Sequence, residues 1–177
     1  MLENFESVLE QGLLKICRVE SLLGPDPLPD TVDVTSRWDE EYLQAYVADA
    51  VENFNSWPEA ALCFAAYLGM GVAHLWDEDW EAHKAEPYEF FYGSRLWDDM
   101  DDHIVQDILH LDDAAADKLA RVLDSCALAA LGLIRHEGIE AGTAEGFHAL
   151  VRSYCVMYRL GAGLELCRLG YRKVRIK

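Results

Sequence analysis

Positive charge is scarce in this chain. Its 177 residues carry 15 Lys plus Arg against 32 Asp plus Glu, a formal net charge of -17, and no Lys or Arg occurs between Arg37 and Lys84. A field of that sign repels phosphate backbones and anionic lipid at long range, so no nucleic acid and no membrane is expected as a partner. Proline is sparse as well. Three of the five prolines fall together in the 24–36 loop, GPDPLPDTVDVTS, too short to separate domains. The five cysteines, Cys17, Cys63, Cys126, Cys155 and Cys167, include no C-x-x-C pair. That excludes a zinc ribbon or a dithiol redox motif, and cysteines set in apolar stretches read as small buried hydrophobes of a reducing compartment. The start, MLENFESVLEQ, lacks the basic residues and long apolar run of a secretory signal, so a cytoplasmic protein is expected. H-E-x-x-H, the P-loop, the G-x-S-x-G elbow and a catalytic-cysteine signature are all missing. Leu160 to Leu166, LGAGLEL, is no dinucleotide fingerprint, because no strand precedes it and the third glycine is absent.

What is present is apolar and helical. Hydrophobic residues make up 51% and aromatics 11% of a length that suits one core, so residues 1–177 are expected to form a single domain. Phe5, Leu9, Gly12, Ile16, Val19 and Leu23 recur at helical spacing and end at Gly24-Pro25. Ser36 with Asp39 resembles the start of a second helix, whose stripe would be Leu43, Val47, Ala50 and Phe54. Pro58 suits the first turn of a third, spanning about 58–80, because its missing N–H costs nothing there. From Ala60 to Trp76 that helix is apolar all round, as expected of an element enclosed by others, and its acidic flanks and length argue against a membrane span. Ala61, Ala65, Gly69 and Ala73 form a smooth ridge that another backbone could approach closely. A fourth helix would bury Trp97, Met100, Ile104, Ile108 and Leu111. A fifth runs from about Asp113 to Arg135, and a sixth from a Thr143 cap to a Gly170 stop. The fold class is therefore an all-α bundle of about six helices around a central apolar one. Cys63, Leu68, Gly69 and Gly71 return as Cys155, Leu160, Gly161 and Gly163 at a constant offset of 92 residues, the pattern of two glycine notches meeting at a helix crossing.

Two clusters carry candidate chemistry. His74, Asp77, Glu78, Asp79, Glu81 and His83 gather where the central helix reaches water, with His74 and Asp77 on one face and Asp79 and His83 on another, the spacing of metal-ligand pairs. Asp98, Asp99, Asp101, Asp102 and His103 follow, then Asp107 and His110. With Ile104 at the centre of the buried face, Asp99 and His103 fall on an outward flank, while Asp101 and Asp107 lie at its edge. His74, Asp77, Asp101 and Asp107 are therefore the candidate ligands of a divalent metal, the one cofactor the sequence suggests. Trp76, Trp80, Tyr88, Phe91, Tyr92 and Trp97 surround the connection between helices three and four, as a candidate patch for a ligand or partner.

Residues 152–177 hold seven cations and one acid, Glu165, a net +6 that includes the 171–177 tail. Such a basic end can lie on an acidic face of a second copy or of its own body. Two functional readings follow. One is a non-catalytic helical protein that binds a protein partner or forms a homo-oligomer. The other is a divalent-metal-dependent enzyme centred on His74 and Asp77.

Overall fold

The apolar stripes close on one another as six helices. A computed structural model describes residues 2–173, which form one all-α domain with no strand among the described residues. The helices are α1 (Phe5–Val19), α2 (32–53), α3 (Pro58–His83), α4 (97–108), α5 (Asp113–His136) and α6 (Ala144–Arg168). Several ends follow from local chemistry. Pro58 occupies the first turn of α3. The Asp112 carboxylate accepts the Ala115 N–H, and the Thr143 hydroxyl accepts the Gly146 N–H, each satisfying an orphan donor of the first turn. Gly170, at a φ of 101°, ends α6 in the left-handed conformation that costs glycine little. Val174 to Lys177, the far end of the basic tail, lie outside the described residues.

Two expectations need correction. In α1 the buried residues are Phe5, Leu9, Leu13 and Cys17, while Gly12 and Val19 face outward. In α2 the helix begins at Val32, ahead of Ser36, and buries Val34, Trp38, Tyr42, Tyr46 and Ala50. Both are strict four-residue ridges. A regular helix turns about 100° per residue, so the α2 ridge would drift by about 160° over its sixteen residues. The wide turn over Trp38–Tyr42 takes in one extra residue and cuts that drift to about 60°, which keeps the ridge on one face. Ser36 lies inside the helix and caps nothing.

α3 is the central element. It is long and apolar enough to cross a membrane by composition, yet 72% of its most apolar stretch is buried among the other helices. Its most extensive contact is with α6. There a Cβ on Gly69 would overlap the Tyr158 carbonyl, and a Cβ on Gly161 would overlap the Ala66 carbonyl. Ala66 and Tyr158 are themselves 92 residues apart, so the crossing is reciprocal, as at a two-fold axis. The same offset carries α1 onto α4, and the packing respects it: α1 lies on α6, α4 on α3. The second glycine of each notch is also filled alike, Gly71 by Ile104 and Phe91, Gly163 by Leu28 of the proline-rich loop. α5 packs on α3, where Cys63 meets Asp124. α2 packs on α6, where the Trp38 indole donates to Cys155 and stacks on Tyr158 at 4.5 Å.

Candidate functional site

The four candidate metal ligands do not converge. Asp101 lies beside Cys63 and Tyr67, where burial raises its carboxyl and its charge helps raise the Cys63 thiol. His74 is seven to eleven residues farther along α3, about 10–16 Å at the rise of a helix. Asp107 is exposed and bonded to His103 at 2.8 Å, and Asp77 accepts the Tyr171 hydroxyl at 2.6 Å. Among the described residues no group of three or more His, Cys, Asp or Glu side chains is arranged to hold a metal ion. Among the described residues His83 faces Glu86 at 3.6 Å and no ion pair joins it to Asp79. Asp79 leaves the helical conformation (φ -166°, ψ 91°) and its carboxylate accepts the Ala82 N–H, capping a separate last turn. The break answers the clash of four acidic residues with the negative end of a helix dipole.

The six aromatic rings do not form one surface either. Tyr88, Phe91 and Trp97 are buried, and both Tyr88 and Tyr92 donate their hydroxyls to Asp49, at 2.8 and 2.6 Å. Trp97 packs on Phe64, and the Trp76 indole donates to Asp33. Trp80 stays half-buried at the helix end. The rings pin the connection onto the bundle through their large apolar bodies, and Trp76, Tyr88 and Tyr92 add a satisfied polar tip.

Asp99, expected on the outward flank, turns inward. Its carboxylate accepts from the Arg95 guanidinium, the Ser94 hydroxyl and the Arg95 N–H. Gly93 permits this knot, since a Cβ there would meet the Asp99 backbone. The Arg95 bonds first, and the Ser94 bond next, lower the Asp99 carboxyl to about 2. A depressed folded value means that its stabilisation is complete above about pH 4 and vanishes as pH falls toward 2. In urea unfolding across that window, Asp99→Asn is expected to be the less stable protein at neutral pH, and the gap to the parent is expected to close on acidification. A gap independent of pH would contradict this.

Two features have no counterpart in the sequence reading. The first is a carboxylate in the core. Glu165 of α6 is fully buried, its oxygens held by Arg168 at 2.6 and 2.7 Å and by His74 Nδ1 at 2.9 Å. His74 therefore answers a partner from another helix rather than Asp77. The one sequence signal for this is an acid inside an otherwise apolar run with an arginine three residues on. The second is a cleft of about 680 Å³ bounded by α1 and the loop after it, α5, and the end of α6. Met70, Leu119 and Leu164 are buried at its floor. Exposed Arg18, Arg168 and Arg172 stand on its walls with half-buried Lys118, against one acid, Asp26. Arg168 is committed to Glu165. Among the described residues, Arg18 reaches the Gly24 and Asp26 carbonyls and Arg172 the Cys167 and Tyr171 carbonyls, and neither meets a carboxylate. Lys118 has no ion-pair partner among the described residues. Cys167 is the cleft's one thiol, and burial pushes it up, away from the reactive thiolate. The described residues of the basic end meet their own chain: Lys173 pairs with Asp30 at 3.3 Å. No protein-family model, curated protein or solved structure matches this chain.

Proposed function

We propose that this chain is a non-catalytic binding module and that its site is the cleft between α1, α5 and α6. One observation carries the reading: a concavity of about 680 Å³ with a buried apolar floor and convergent polar groups at its mouth, the size and lining of sites that take small molecules. Its walls hold a protonated thiol and a serine but no histidine, which favours binding over nucleophilic chemistry. The engagement of Lys173 with Asp30, and of Tyr171 with Asp77, supports a basic end folded on its own body. The occupant to seek is accordingly a small molecule rather than a second copy.

The neutral dye N-phenyl-1-naphthylamine tests this. Saturable binding at one site per chain is expected, lost in Ala115→Trp, which places a large ring in the cleft from an exposed position on its wall. Absence of saturable binding, or unchanged binding to a helical Ala115→Trp protein, would overturn the assignment.

A further inference from the structure

Resting on that reading of the cleft, we propose that its natural occupant is an amphiphile bearing one anionic group, a carboxylate or a phosphate monoester. Its apolar body lies on Met70, Leu119 and Leu164, and its head group sits among Lys118, Arg18 and Arg172.

Even in a chain of net charge -17, seven Lys or Arg side chains form no ion pair among the described residues, and three of the seven, Arg18, Lys118 and Arg172, line the same cleft. Their proximity is repulsive, and Asp26 is the one acid present to offset it. Donors also remain. The Arg18 bonds to carbonyls use Nε and one Nη, and the Arg172 bonds use a single Nη. Each guanidinium therefore keeps N–H groups for an acceptor, and the Lys118 ammonium keeps all three. Carbonyl oxygens hold such side chains in place without neutralising them. An anion would do both, through charge-assisted bonds stronger than neutral ones.

Depth decides the orientation. Met70, Leu119 and Leu164 are each no more than 5% exposed, whereas Arg18 and Arg172 stand in solvent and Lys118 is half-buried between. A polar group at the floor would lose water and find no partner, and an apolar group at the mouth would gain nothing. Arg168 completes the wall but is not counted among the head-group ligands, because Glu165 holds two of its nitrogens.

The experiment is displacement of the neutral dye by ten-carbon compounds that differ only in their heads, all kept below micelle-forming concentrations. Decanoate and decyl phosphate are separate arms, set against decanol and decyltrimethylammonium. At least one anion is expected to displace the dye at concentrations roughly tenfold or more below decanol, with the cation weakest, and the better anion identifies the head group. That advantage is expected to shrink in high salt and in Lys118→Gln, and to vanish in Lys118→Glu. Equal displacement by decanol and both anions, or preference for the cation, would overturn the anionic assignment while leaving the cleft a binding site. Failure of the dye to bind the parent protein would overturn both.

Discussion

A Gly161→Ala protein is expected to unfold about 6–12 °C below the parent. The added methyl overlaps the Ala66 carbonyl at the α3–α6 crossing, and neither backbone can yield without parting the largest helix contact of the bundle. Overpacking costs about 1–3 kcal/mol where side chains can shift. Here the obstacle is main chain, so about 3 kcal/mol applies, converted at roughly 2–4 °C per kcal/mol for a domain of this size. Gly132→Ala is the control. Gly132 lies within α5 and nothing stands within 4 Å of its Cβ, so the better helix former is expected to be neutral or to stabilise by roughly 0.4–1 kcal/mol. Thermal unfolding followed by circular dichroism reads both. Equal melting temperatures for Gly161→Ala and the parent would mean that the helices do not cross in backbone contact.

Arg168→Met is expected to cost about 3 kcal/mol, measured by urea unfolding at neutral pH. The substitution leaves Glu165 fully buried with His74 as its remaining partner. Breaking a buried pair costs about 3–5 kcal/mol. The lower end applies because the Arg168 side chain is itself 43% exposed and partly screened by water. The double variant Glu165→Met with Arg168→Met removes the charge along with its partner and is expected to recover most of the loss. The sign of that recovery is diagnostic. If the double variant were as unstable as the sum of the single ones, the helix end would depend on these side chains for their shape and not for their pairing.

Much of the architecture is legible in the sequence because it rests on local chemistry. Pro58, Thr143 and Gly170 mark helix ends through local effects that need no tertiary partner. The 60–76 stretch could have no exposed face, and it is the helix the others enclose. The ridge Ala61, Ala65, Gly69 and Ala73 is wholly buried, and the 92-residue echo names both glycines at the crossing. The stripes of α1 and α2 depart from their expected periodicity: the four-residue ridge and the mixed three-four stripe share only Phe5 and Leu9 in α1 and Ala50 in α2, and only the partner surface selects between them. The metal candidates lie near one another in sequence but not in space. His74, Asp77 and Asp101 each found a neighbour that spacing along a helix does not reveal, while Asp107 pairs with His103 one turn back on its own helix.

Composition and periodicity by themselves determined the helical class and the element that lies at the centre, because these follow from how many apolar groups the chain has and at what interval. Only the tertiary structure decided where function is to be sought. The Glu165 carboxylate meets His74 across 91 residues, and Arg18, Lys118 and Arg172 share one cleft although a hundred residues separate the first two. A site is a convergence in space, and its members are chosen by how helices cross, which no local spacing records.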